Sequence, residues 1–155
     1  MKFENLEAII DFAIEKEIEA AQFYEEAAGN ESFAGAKDML KEFAVEERKH
    51  QGLLEKFKTQ GLDKSLSEYK LKWIKDIKRG DYLVDAKYEK GLAYNDLLLL
   101  AIKREEKALK LYNELLKEVE TEDSKKIFQI LCQEEAKHKL KLETLYDDYM
   151  AEMGD

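Results

Sequence analysis

The sequence contains the same pair of candidate metal ligands twice, at positions 88 residues apart. Glu47-x-x-His50 returns as Glu135-x-x-His138, and these two units hold the only histidines of the chain. On an α-helix, residues three positions apart lie on one face, about one turn from each other. Each glutamate and histidine pair can therefore hold one metal ion from a single face of a helix.

The same offset of 88 residues relates two further glutamates. Glu17 corresponds to Glu105, and each is followed three residues later by alanine and seven residues later by tyrosine. The repeated positions are Ala20 and Tyr24 in the first copy, and Ala108 and Tyr112 in the second. The chain therefore consists of one helical hairpin in two copies.

The composition favours long helices. There is no proline, there are only 7 glycines, and 39% of the residues are charged. Such a sequence suits helices whose outer faces carry many ion pairs. Because 155 residues are too few for two comfortable domains, we expect residues 1–155 to form a single all-α domain.

Apolar residues recurring in steps of three and four predict two helical hairpins, at about residues 5–60 and about 95–153. Asn5 is a good N-cap and Gly29-Asn30 a good stop for the first helix. Glu17 lies 12 residues before the turn at Gly29 and Glu47 about 14 after the turn, so antiparallel packing brings Glu17 level with Glu47 and His50. The second hairpin repeats the arrangement around a turn at residues 120–123.

The connection between the hairpins, residues 61–94, is long and has mixed sequence. Its 34 residues can travel the length of a bundle of about 40 Å, with a short helix around Leu66–Ile77 on the way. A connection of this length predicts a ferritin-like four-helix bundle with a crossover in place of simple up-down-up-down connectivity. We expect Trp73 to cover an end of the core.

Packing the two hairpins together places six polar residues in one layer of an apolar core. Two Glu-x-x-His helices supply a bridging carboxylate pair and one imidazole per metal, and the other two helices supply terminal carboxylates. Oxygen donors with a single nitrogen per metal favour iron or manganese and leave positions open for oxygen species. We expect two iron ions per chain, with manganese as the alternative. The predicted ligands are Glu17, Glu47, His50, Glu105, Glu135 and His138.

The alternative is a structural role for these residues. Glutamate makes up 24 of the 155 residues, so one Glu-x-x-His unit alone carries little weight. Two units that use every histidine, in register with a repeated Glu-x-x-Ala-x-x-x-Tyr, favour the metal site. Tyr24 and Tyr112 lie two turns beyond Glu17 and Glu105, where their hydroxyls either donate to ligand carboxylates or are satisfied within the core.

Charge and cysteine content restrict the partners. A net charge of -9 without a free basic stripe argues against nucleic acid and anionic membrane surfaces. Acidic residues interrupt the apolar N-terminus, and the longest apolar run, Leu97–Ile102, is too short to span a bilayer, so we expect a cytoplasmic protein. Cys132 is the only cysteine, which we interpret as a packing residue. Any electron donor must therefore be a separate molecule.

The pattern resembles the ferritin-like di-iron superfamily, and within it the rubrerythrin group. The resemblance covers nearly all of the chain outside the connection. It implies a non-haem di-iron centre that cycles between Fe(II) and Fe(III) while reducing peroxide or oxygen, with ferrous iron oxidation as a related activity.

This sequence departs from the rubrerythrin pattern in two ways. Rubrerythrins carry an additional carboxylate one turn after the third-helix glutamate, implicated in an iron shift between redox states, and that position is Ala108 here. They also usually carry a C-terminal rubredoxin-type domain with four cysteines, whereas this chain ends shortly after Tyr149. The symmetric ligand set is closer to that of bacterioferritin-like or oxidase-like sites.

We therefore expect a di-iron oxidoreductase that reduces hydrogen peroxide or oxygen, with an external electron donor such as a rubredoxin. The alternative is a protein that binds and oxidises ferrous iron for sequestration. Storage needs a shell of many subunits, whereas we expect a homodimer.

Overall fold

The computed structural model describes residues 5–30, 34–61 and 92–153, which form four α-helices. Their bounds are α1 (Leu6–Asn30), α2 (Ala34–Gln60), α3 (Tyr94–Glu118) and α4 (Glu122–Met153). No strand occurs in these ranges, and the all-α prediction is confirmed. Of the described helices, none combines the length and the apolar character needed to cross a membrane.

Side chains and glycine define the helix ends. The Asn5 side chain accepts a hydrogen bond from the backbone N–H of Ala8 at 2.9 Å and caps α1, as predicted. After α2, Gly61 takes a positive φ of 89°, a backbone conformation that glycine adopts without strain. Helix α4 begins at Glu122, two residues earlier than a turn at 120–123 allows, because Thr121 accepts a hydrogen bond from the N–H of Ser124.

Three parts of the sequence interpretation lie outside the described residues. They are the start of α2 at Ser32 or Phe33, the short helix predicted around Leu66–Ile77, and the packing of Trp73.

The first hairpin, α1 and α2, is antiparallel and in the predicted register. Near its turn, Arg48 donates to Glu25 at 2.8 Å. At its open end, Lys58 contacts Asp11 at 2.5 Å, and this hydrogen bond raises the pKa of the Lys58 ammonium group. Residues in the middle of the two helices are therefore level with each other.

The second hairpin, α3 and α4, is also antiparallel. The rings of Tyr94 and Tyr149 meet edge to face at its open end, with centroids 5.0 Å apart. Closer to the turn, the thiol of Cys132 donates to the Asn113 side chain at 3.7 Å. The hairpin packing predicted for both copies is confirmed.

The chain divides into two compact units, and residues 117–127, which contain the turn between α3 and α4, belong to the unit formed by α1 and α2. In that unit, Glu118 and Val119 line a cavity of about 290 Å³ together with Asn5 and Leu6. Because Lys58 also reaches the first turns of α1, both α2 and α3 end beside the start of α1.

The spacing in steps of three and four predicts inner stripes that include Leu6, Ala20, Phe57, Ala108, Leu145 and Tyr149. The buried faces follow these stripes with one systematic difference. Ala20 and Ala108, expected on the inner line, are half-buried, whereas the next residues, Ala21 and Leu109, are buried. A helix has 3.6 residues per turn, so positions three and four residues after Glu17 lie on opposite sides of the inner line. The prediction chose the less buried side in both copies. Four terminal stripe residues are also only half-buried: Leu6, Phe57, Leu145 and Tyr149.

Replacing Thr121 with alanine tests the cap of α4. The Thr121 hydroxyl lies 3.2 Å from the N–H of Ser124 and 2.6 Å from its fully buried hydroxyl, so both groups lose their partner. We expect the free energy of unfolding to fall by about 1–2 kcal/mol in denaturant titrations. The matched control is Thr144→Ala on the exposed face of α4, where the change should stay within about 0.5 kcal/mol. Equal losses in the two variants would show that Thr121 does not cap the helix.

Candidate metal centre

Three residues of the first hairpin converge midway along α1 and α2. Nδ1 of His50 lies 3.6 Å from an Oε of Glu17 and 3.9 Å from an Oε of Glu47. Each of the three residues offers one ligand atom, and these atoms all lie within 4.8 Å of one another. We call Glu17, Glu47 and His50 the first half-site.

The second hairpin repeats this geometry closely. Nδ1 of His138 lies 3.6 Å from an Oε of Glu105 and 4.0 Å from an Oε of Glu135. One ligand atom from each of these residues again lies within 4.8 Å of the other two. We call Glu105, Glu135 and His138 the second half-site. The structure thus places the six predicted ligands in two sets of three, one in each hairpin.

All six side chains are buried, with exposed fractions between 1% and 3%. Carboxylates are rarely buried, because removing the charged form from water is costly unless a partner or a cation compensates. Their burial is selective in this chain, since Glu15 and Glu19, on either side of Glu17, are exposed. The buried faces of the helices therefore carry carboxylates at the two half-sites.

The donor sets fit an ion of the iron or manganese type. Two ligand atoms that bind one ion at about 2.1 Å each can lie up to about 4.2 Å apart. The distances from the imidazole nitrogens to the neighbouring carboxylate oxygens, 3.6 to 4.0 Å, fall within that limit. Two carboxylates and one imidazole per set suit metals that accept mixed oxygen and nitrogen ligands.

Tyr24 and Tyr112, the predicted neighbours of the metal ligands, are both buried to 1% exposure. The Tyr24 ring packs edge to face on Phe43 of α2, with centroids 5.4 Å apart. The Tyr112 ring packs on Phe128 of α4 at 6.0 Å. Their aromatic packing places each tyrosine on the inner face of its own hairpin, and hydrogen bonding from their hydroxyls to ligand carboxylates stays a prediction.

The sequence interpretation missed a buried ion pair beside the second half-site. Lys139, only 1% exposed, lies 2.7 Å from an Oε of Glu106. These two residues directly follow His138 and Glu105, respectively. The sequence does contain a sign of this pair, because the two copies of the repeat differ at these positions. The equivalent residues of the first copy are Gln51 and Ile18. Glu143, one turn beyond Lys139 on α4, is also buried, whereas its counterpart Glu55 is exposed.

Cys132 lies on α4, one turn before Glu135. Desolvation by burial raises the pKa of its thiol from 9.0 to about 12. A reactive cysteine needs a thiolate at neutral pH, and such thiolates are found in electropositive surroundings. These properties agree with the interpretation of Cys132 as a packing residue.

Two helical hairpins, each with a buried glutamate on one helix and a buried Glu-x-x-His unit on the other, define the class of ferritin-like carboxylate metal proteins. Residues 1–58 and 96–154 match the family model described as Rubrerythrin. The chain therefore belongs to the rubrerythrin family, as its resemblance implied.

A solved structure with a similar fold is that of a hypothetical protein from Pyrococcus furiosus. The two chains are 24% identical, the similarity covers 93% of this chain and 89% of the other, and the TM-score is 0.64. At this identity the similarity supports the fold alone. No curated protein matches the chain.

The raised pKa of Cys132 predicts slow reaction with a thiol reagent. Because the thiolate is the reacting form and the folded-state pKa lies near 12, the rate in the native protein should rise about tenfold per pH unit from pH 8 to pH 10 without a plateau. Protein unfolded in urea is the control, and its rate should reach half of its plateau near pH 9 and level off above it. A native rate that levels off between pH 9 and pH 10 in the same way would contradict the raised pKa of the thiol.

Proposed function

We propose that this protein is a non-haem di-iron oxidoreductase of the rubrerythrin type, which reduces hydrogen peroxide or oxygen. One observation carries the proposal: a chain of this family holds two buried sets of two glutamates and one histidine, each with its ligand atoms within reach of one ion. A protein with a purely structural core has no need to bury this much negative charge.

In the proposed centre, Glu17 and His50 of the first hairpin and Glu105 and His138 of the second would hold two iron ions. Glu47 and Glu135, from the two Glu-x-x-His helices, would supply the remaining carboxylate ligands. Four carboxylates carry four negative charges, which balance two divalent ions and remove most of the cost of burying them. Manganese is the alternative metal, because it accepts the same donors.

When bound, the two ferrous ions supply two electrons, so that one hydrogen peroxide and two protons yield two waters and two ferric ions. The protein residues hold and shield the centre. Leu40, Leu54 and their repeat counterparts Phe128 and Leu142, all fully buried, exclude water on either side of the ligands along α2 and α4. Tyr24 and Tyr112 are placed two turns from the terminal glutamates, where donation from their hydroxyls would fix the carboxylate orientation.

The electrons that return the iron to the ferrous state come from a separate protein in this proposal. A rubredoxin-type site needs four cysteine ligands, and these 155 residues contain only Cys132. An external donor such as a rubredoxin meets that need. We also propose that the protein acts in the cytoplasm as a homodimer.

A specific observation favours a second candidate, a ferroxidase that oxidises ferrous iron with oxygen. One turn after Glu105 the side chain is that of Ala108, which is half-buried and offers no ligand. The equivalent residue of the first copy, Ala20, is also an alanine. A ligand set without an extra carboxylate leaves the two metals with matching ligands, as in the oxidase-like sites that the sequence resembles.

Anaerobic loading with Fe(II), followed by stopped-flow mixing with hydrogen peroxide or oxygen, tests the proposal. We expect saturation at two irons per chain, and ferric absorption that forms much faster with peroxide than with oxygen. Replacing both Glu47 and Glu135 with alanine should abolish stoichiometric binding, because both bridging carboxylates are lost.

The matched control replaces the preceding residues, Glu46 and Glu134, with alanine. Both are half-buried and lie off the inner line, so two irons should still bind. Faster oxidation by oxygen would favour the ferroxidase. Two irons retained in the Glu47 and Glu135 variant would contradict the proposed ligands.

A further inference from the structure

The two half-sites have the same ligands but different surroundings. Beside the second half-site, the buried ammonium group of Lys139 joins the carboxylate of Glu106 at 2.7 Å, so that one ion pair connects α4 to α3. The first copy carries Gln51 and Ile18 at these positions and cannot form this ion pair. Of the two repeated hairpins, only the second therefore has this ion pair.

This ion pair is placed to hold the ligands of its own half-site. Lys139 follows His138 directly and lies one turn beyond Glu135, and Glu106 follows Glu105 directly. A link between Lys139 and Glu106 therefore restrains the distance between the helix that carries one ligand and the helix that carries the other two.

Burial makes the restraint strong. Lys139 is 1% exposed and Glu106 is 14% exposed, so water competes little for either charge. Separating a buried ion pair is far more costly than separating a surface pair. The carboxylate of Glu143, also buried and one turn from Lys139 on α4, adds negative charge on the same side of the helix.

Away from the candidate ligands, two ion pairs that connect the helices of the first hairpin are exposed. In the pair of Arg48 with Glu25, the side chains are 39% and 48% exposed, and Lys58 with Asp11 is similarly open to solvent. Exposed ion pairs contribute little to the rigidity of a structure, because water and salt screen them. With Gln51 and Ile18 at the equivalent positions, the first half-site has no counterpart of the Lys139–Glu106 pair.

We propose that Lys139 and Glu106 are positioning residues that preorganise the second half-site, so that it binds the first of the two metal ions. Preorganised ligands lose less freedom on binding, and groups behind the ligands tune affinity by fixing their orientation. The first half-site, which is more adjustable, then binds the second ion. This inference rests on the proposed dinuclear centre and adds to it the order in which the two half-sites bind metal.

Titration of the metal-free protein with Co(II), followed by calorimetry and visible absorption, tests the order without redox chemistry. We expect two binding events per chain whose affinities differ at least tenfold. His138→Ala should remove the tighter event, and His50→Ala should remove the weaker one. These two variants decide the order of filling independently of any change to the ion pair.

A double variant then tests the role of the ion pair. Lys139→Gln with Glu106→Ile gives the second hairpin the residues of the first, and we expect the tighter affinity to fall until the two differ by threefold or less. The reversed pair, Glu106→Lys with Lys139→Glu, keeps the link and should keep the wild-type difference within threefold. Arg48→Gln with Glu25→Gln is the control for an exposed pair and should change neither affinity more than twofold.

Several results would overturn the inference. Equal affinities in the wild-type protein, loss of the tighter event in His50→Ala, or an unchanged difference in the folded Lys139 and Glu106 double variant would each do so. These failures leave the proposed dinuclear centre intact, because two metals still bind. Absence of any saturable Co(II) binding would instead overturn the proposed centre, and the order of filling with it.

Discussion

The burial of the four candidate ligand carboxylates governs how the residues around them are arranged. Each glutamate lies on the inner line of its helix, where an uncompensated charge is strongly unfavourable. A histidine on one helix of each hairpin lies within 4.0 Å of two of these carboxylates, and the remaining compensation is the role that we assign to metal. Long helices, antiparallel register and aromatic packing within each hairpin hold the ligands of that hairpin level with each other.

Duplication explains how a chain of this size supplies six ligands, and the differences between the copies show where the symmetry ends. The ligands, the alanines after them and the tyrosines are the same in both hairpins. The surroundings are not, since a buried lysine and glutamate accompany only the second set. The aromatic neighbours also differ, because Tyr24 packs on Phe43 whereas Tyr112 packs on Phe128, which corresponds to Leu40. Similar ligands in different settings provide a physical basis for two metals with different properties.

Much of the fold follows from the sequence, because helical periodicity and end signals are local. The Asn5 cap, the end of α2 at about residue 60 and the level of Glu17 with Glu47 were all predicted from residue type and spacing. The burial of Ala21 and Leu109 in place of Ala20 and Ala108 was not, since it depends on the rotation of each helix against its neighbour. Lys139 was missed for a related reason: a lysine in a charged helix is normally solvated, and only the position of Glu106 on the facing helix reveals the buried pair. The periodicity of the sequence identifies the buried face of each helix. Contacts with the neighbouring helix determine which residues at the margin of that face are buried.

We propose that the two half-sites hold two metal ions as one dinuclear centre. Electron paramagnetic resonance of the metal-free protein titrated with Mn(II) tests this proposal, because ions that share bridging carboxylates lie about 3.5–4 Å apart and couple magnetically. We expect two Mn(II) to bind per chain and the completed centre to give the broad spectrum of a coupled pair. Two ions that each retain the six-line spectrum of isolated Mn(II) would contradict it.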